Sequence, residues 1–292
     1  MNLFLADVTD TFGRNHLIMA IVAIAIMIVC PILIKKYNIP FKKMTLIFLI
    51  IWVVCETTKL LSNITYIMED KITEELKAVK MFEYVASEWE NWNIVRAYLP
   101  RGDLPFHLCS IMPFFIIYAD RTKNEVARER VLGMIAPFGL IGSIISIALA
   151  TTGADFKNPQ TYEYFFYHAF LAVYSLEIVL KEEIKPTWKL YLSTAIFSLI
   201  MFVSSIWVNT ILSDTGVLGV SNKYLTNFFY SMKPPLSGLP FLNLNHGWIV
   251  YFIHIVSLGI ILVTAYYAIV ISINKKRENR VDLNNHNKGI EE

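Results

Sequence analysis

Seven apolar stretches punctuate this chain, at residues 16–34, 44–63, 104–119, 131–150, 162–180, 190–212 and 248–273. A helix crossing a bilayer needs about 20 mostly apolar residues, because the hydrocarbon core is about 30 Å thick. Backbone polar groups inside that core must be hydrogen-bonded within the protein, which favours helices. The pattern therefore predicts an all-α, polytopic membrane bundle of seven transmembrane helices, a single domain over 1–273. Composition agrees: 55% of the 292 residues are hydrophobic and 17% charged, with a mean hydropathy of +0.48. An average soluble protein carries about 25% charged residues. A disordered chain, a disulfide-rich module and an ordinary soluble enzyme are excluded. The net charge of +2 gives no reason to expect a nucleic-acid partner, and three cysteines (Cys30, Cys55, Cys109) build no disulfide framework.

Basic residues set the expected orientation. Segments 35–43, 121–130, 181–189 and 274–292 hold 16 Lys and Arg in 47 positions; the alternate set, 1–15, 59–103, 151–160 and 213–246, holds 10 in 104. The first set is read as cytoplasmic, so the N-terminus lies outside and the C-terminus inside, in a multi-pass cell-membrane protein. Asp7 and Asp10 stand against Arg14 ahead of the first stretch, unlike the positive start of a cleaved signal, so that span is read as retained.

Two outer connections are long. In 71–98, apolar residues from Ile72 to Val95 recur in steps of three and four, with charges between them. This predicts an amphipathic helix at the outer interface, with Trp89 and Trp92 at headgroup level, or equally a helix packed on outer loops. The segment 213–246 is apolar for a loop and holds Pro234-Pro235, which forbid regular helix; it is expected to be a re-entrant cover or a packed loop. Residues 274–292 are polar and charged and read as a disordered cytoplasmic tail.

Ionisable side chains in hydrocarbon are costly and are functional candidates by default. Glu56 and Lys59, His107 and Cys109, His168, Asn209, His246 and His254 all fall in the predicted outer halves of their spans, suggesting a polar chamber open to one leaflet. Each has a plainer reading. Glu56 and Lys59 can pair on one helix face. Asn209 suits an interhelical hydrogen bond. His254 suits a satisfied core histidine, and His246 can be solvated. No pair has HxxxH or CxxC spacing, so no metal site is expected, and no cofactor is called for.

Leu104-Pro105-Phe106-His107-Leu108-Cys109-Ser110 stands apart. Pro105 suits a first helical turn, which would put Cys109 one turn inside a helix start, where a thiol can serve as a nucleophile. His107 lies about 200° around an ideal helix from Cys109, so His168 is the better base. This block resembles the Leu-Pro-x-His-Leu-Cys signature of the YwaF-like integral membrane family, which extends to eukaryotic transmembrane acyltransferases that remodel ether phospholipids. Tyr164-Phe165-Phe166-Tyr167-His168 is similar to that family's aromatic run ending in His. Asn209, Tyr224 and Lys233-Pro234-Pro235 resemble its Asn…Tyr…Lys-Pro segment. The resemblance, over roughly 40–270, implies Cys109 and His168 as the acyl-transfer pair.

The expected activity is thus a membrane lipid acyltransferase at the outer leaflet. Cys109 is the nucleophile and His168 the base. Asn209 or His107 is an oxyanion donor, with Glu56 and His254 in support. A phospholipid is the donor and a lysophospholipid the acceptor. The rival readings are an ion- or proton-coupled transporter, relaying through Glu56, Lys59, His168 and His254, and a non-enzymatic membrane sensor.

Overall fold

The computed structural model of the chain describes residues 12–69, 77–80, 94–99, 104–149, 154–213, 226–235 and 241–288. Seven helices are found among them: α1 (Arg14–Lys36), α2 (Phe41–Asn63), α3 (Leu108–Arg121), α4 (Glu125–Leu149), α5 (Pro159–Leu180), α6 (Trp188–Leu212) and α7 (Trp248–Lys288). Five of these, α1, α2, α4, α6 and α7, are long and apolar enough to cross a membrane. They also turn large hydrophobic side chains outward, such as Ile21 and Ile28 on α1, Val54 on α2, and Trp207 and Ile211 on α6. A soluble protein would bury such a girdle; here lipid covers it.

The other two helices differ for separate reasons. At 14 residues, α3 is about 21 Å long at 1.5 Å per residue, short of a full crossing. At 22 residues α5 is long enough, but it carries Glu163, His168, Ser175 and Glu177, all buried. It can hold them because it lies at the centre of the bundle, packed against α1, α2 and α4. Its start is fixed locally: the Asn158 side chain accepts the Gln160 N–H, and Pro159 occupies the first turn. Thr187 caps α6 in the same way, accepting from the Leu190 N–H at 3.1 Å. Pro31, Pro113 and Pro137 all lie inside helices, a use of proline that packed membrane helices tolerate.

Three sequence expectations are corrected. The amphipathic helix expected over 71–98 is not what its described residues form. Lys77–Lys80 (β2) and Ile94–Tyr98 (β3) flank Thr65–Glu69 (β1) in an antiparallel sheet of order β2-β1-β3, with Thr65 opposite both Lys80 and Tyr98. The bundle itself is helical, and this small sheet lies in the connection between α2 and α3. The β-branched and aromatic residues of TYIME and IVRAY favour strand, and backbone pairing outweighed the helical spacing. Trp89 and Trp92 lie outside the described residues, as does Tyr224. The tail expected to be disordered from 274 instead continues α7 through Lys288. No Gly or Pro interrupts it before Gly289, and Arg277 pairs with Glu182 at 2.6 Å. Pro105 lies ahead of α3, in a turn closed by the Phe106 N–H on the Leu104 carbonyl at 2.8 Å, rather than in its first turn.

The α4–α5 seam is built on small residues. A Cβ at Gly139 would meet the Ser175 Oγ at 2.0 Å and its Cβ at 3.2 Å. Gly139→Ala is expected to destabilise the bundle by about 1–3 kcal/mol, read as a lower thermal midpoint in detergent. Adding Ser175→Gly should recover most of the loss; no recovery would mean that the seam does not set the helix separation.

Candidate functional site

Helix ends decide which polar side chains can meet. The end of α2, the starts of α3 and α5, the end of α6 and the start of α7 gather at one end of the bundle, the end from which the sheet leaves α2. Glu56 and Lys59, Cys109, His168 and Asn209 are thus brought to the same level.

Cys109 is the second residue of α3 and is half-buried, while Cys55 on α2 is buried. Its sulfur is approached by the Ser110 hydroxyl and by the backbone N–H groups of Cys109 and Ser110. Its carbonyl accepts a 2.5 Å hydrogen bond from the Tyr167 hydroxyl of α5. That bond fastens the first turn of α3 against α5 one residue from His168.

His168 is 4% exposed and lies between two tyrosines, with ring centroids 4.5 Å from Tyr164 and 5.5 Å from Tyr167. Its Nδ1 lies 2.7 Å from the Tyr164 carbonyl. A carbonyl only accepts, so Nδ1 carries the proton, and in the neutral ring Nε2 keeps its lone pair. The ring is thereby oriented, with the carbonyl as the third group behind the base.

The surrounding charges come from α2 and α5. Lys59 donates to Glu56 at 2.7 Å, so the i, i+3 pairing expected from the spacing forms. Lys59 is also the shared electrostatic neighbour of Cys109, His168 and Glu163. Glu163, 9% exposed on α5, interacts electrostatically with His168, Cys109 and Glu56. It was missed in the sequence because it sits at the edge of an apolar stretch, between Tyr162 and Tyr164. An acid five residues before a buried histidine was the available signal.

Other expected residues are engaged differently. Asn209 is fully buried and holds the cover segment 226–235. Its Nδ2 donates to the Phe228 carbonyl at 3.0 Å and the Ser231 hydroxyl at 2.9 Å, and its Oδ1 accepts the Phe228 N–H at 2.8 Å. Both amide protons are committed, so Asn209 is a structural clamp rather than an oxyanion donor. His107 occupies the cap position of α3 in extended backbone, so ideal helical phase does not apply to it; its ring packs on Phe228 with centroids 4.9 Å apart. His254 is exposed, not a core histidine, and its Nδ1–H is donated to the Phe241 carbonyl at 2.8 Å. It stands apart from the cluster. His246 is exposed at the mouth of α7. Among the described residues no three His, Cys, Asp or Glu side chains gather as a metal site.

The cover is pinned at several points. Phe228 is fully buried at its centre, packed edge-on against Phe106. Trp248 Nε1–H donates to the Ser231 carbonyl at 2.9 Å, and the Tyr251 hydroxyl donates to the Tyr230 carbonyl. Phe229 and Tyr230 have φ of 59° and 51°, a left-handed backbone that non-glycine residues adopt only where the surroundings enforce it. Within 213–246, residues 226–235 are packed against the end of α6, the start of α7 and the turn before α3.

A family model matches residues 11–267, nearly all of the bundle. The chain belongs to the TMEM164 family. No curated protein and no solved structure matches it. The TMEM164 match takes in every residue of the cluster, from Glu56 to Asn209, together with the cover. Asn209→Ala is expected to release the cover, because removing the side chain costs about 1–3 kcal/mol for each buried backbone group left unpaired. Hydrogen exchange at 226–235 should rise while α4 and α5 stay protected; unchanged exchange would show that Trp248 and Tyr251 suffice to hold it.

Proposed function

We propose that this TMEM164-family protein is a membrane lipid acyltransferase, with Cys109 as nucleophile and His168 as base. The carrying observation is the Tyr167–Cys109 hydrogen bond, which fastens the start of α3 to α5 one residue from a buried histidine oriented by the Tyr164 carbonyl. The similarity of the Leu104–Ser110 block to the YwaF-like signature supports the same pair.

In the first half-reaction the Cys109 sulfur attacks the carbonyl carbon of a phospholipid ester, and its thiol proton passes to His168 Nε2. The ester C–O bond breaks. The departing lysophospholipid oxygen takes the proton from His168 and leaves a thioester on Cys109. In the second half-reaction a lysophospholipid hydroxyl gives its proton to His168 and attacks the thioester. The C–S bond breaks, and the sulfur recovers the proton. The Ser110 N–H and hydroxyl, which act on the Cys109 thiol, are the donors proposed for the charge that develops at the reacting centre, since both Asn209 amide protons are committed. Positive-inside counting puts this end in the outer leaflet, where the donor would be a bilayer lipid.

The test is acyl trapping on protein reconstituted with alkyne-tagged phospholipid. Wild type is expected to carry a hydroxylamine-labile adduct that is absent in Cys109→Ala. In His168→Ala its formation should be slower by about 10²–10⁴-fold. Lipid turnover that persists in Cys109→Ala would overturn the assignment. So would pH-dependent ion flux that survives Cys109→Ser and fails in Glu56→Gln, which is the transporter's signature.

A further inference from the structure

The opposite end of the bundle carries a cavity that the acyl-transfer reading does not use. It has a volume of about 330 Å³ and lies among the start of α2, the end of α3, the start of α4 and the chain just after α5. Four helices terminate around it, so it sits where the bundle leaves hydrocarbon and meets lipid headgroups. Phe41, Ala119 and Leu132 form apolar wall, and Tyr174 and Thr45 add hydroxyls.

Those hydroxyls are ordered. Thr45 donates its only hydroxyl proton to the Phe41 carbonyl at 3.2 Å. The 3.2 Å contact between Thr45 and Tyr174 therefore has Tyr174 as donor, and the Tyr174 oxygen is left as an acceptor. Around them stand two cations, Lys42 and Arg128, and two carboxylates, Asp120 and Glu183. Arg128 and Glu183 are paired at 2.5 Å, but a guanidinium has five N–H donors and a carboxylate about four acceptor sites. Both therefore keep hydrogen-bonding capacity toward the cavity. Among the described residues Asp120 has a 3.8 Å contact with Arg121, whose side chain is 84% exposed, a weak tie.

Balanced charge inside a basic end of the protein is selective. A purely anionic ligand would be drawn to this end but would face Asp120 and Glu183 on entering. We propose that this cavity binds the headgroup of a zwitterionic phospholipid bearing a primary ammonium. Its phosphate meets Lys42 and the outer edge of Arg128, and its ammonium donates to Asp120, Glu183 and the Tyr174 oxygen. A trimethylated headgroup has the same charges but no N–H to donate. The site is separate from the Cys109 cluster and does not rest on its chemistry.

The experiment is native mass spectrometry of delipidated full-length protein in detergent, given phosphatidylethanolamine, phosphatidylcholine or phosphatidylglycerol. Wild type should retain one phosphatidylethanolamine about tenfold more tightly than either of the others, the equivalent of one charge-assisted hydrogen bond. Asp120→Asn should remove that preference and Lys42→Ala should weaken retention, both with unchanged helical content, since neither residue is in the buried core. Cys109→Ala should bind as wild type does. Equal or tighter retention of phosphatidylglycerol would overturn the proposal, as would a preference that survives Asp120→Asn. Glycerophosphoethanolamine, the headgroup without chains, separates the two possible sources. If it binds while the intact lipid does not, the site takes a soluble zwitterion and the lipid assignment fails.

Discussion

A helix enclosed by other helices can carry side chains that a lipid-facing helix cannot, and this bundle is arranged around that difference. Burial of α5 among α1, α2 and α4 replaces lipid with hydrogen-bond partners for its polar groups. Tyr164, Tyr167, His168 and Tyr174 each make a bond that ties α5 to itself or to a neighbour. The close α4–α5 approach at Gly139 and Ser175 is part of the same arrangement. A looser seam would move α5, and with it His168 and the Tyr167 hydroxyl that holds the Cys109 carbonyl.

The two ends of the bundle then acquire different chemistry from one scaffold. At the sheet end, helix starts and finishes bring together a thiol, an oriented imidazole and the charges of Glu56, Lys59 and Glu163, and Asn209 clamps the packed segment 226–235. At the basic end, the same helices α2, α3, α4 and α5 open into a cavity with two cations and two carboxylates. Tyr167 and Tyr174 lie two turns apart on α5, one at each region, and Phe48 packs against both. The apolar centre of the bundle separates the two regions and holds them in fixed relation.

How much of this was readable beforehand depends on the range of the interaction. The helices follow from local apolar runs, and their approximate limits from Pro, Asn and Thr at their starts. The Glu56–Lys59 pair follows from spacing within one helix. The gathering of polar residues at one end follows from counting residues from each helix terminus. The sheet was misread because Ile72 to Val95 satisfies a helical spacing, while strand pairing with Thr65–Glu69 is a non-local decision. The continuation of α7 was misread because charged residues that look disordered in isolation extend a helix that is already nucleated.

The sequence by itself determined that this is a helical membrane protein, because hydrophobic transfer and helix length act residue by residue. Tertiary structure alone decided what those side chains do. Asn209 became a clamp because Phe228 and Ser231 fold back onto it. Glu163 joined the cluster because α2 lies beside α5. His254 left it because the Phe241 carbonyl takes its ring proton. Each outcome rests on hydrogen-bond partners distant in the chain, which no local pattern encodes.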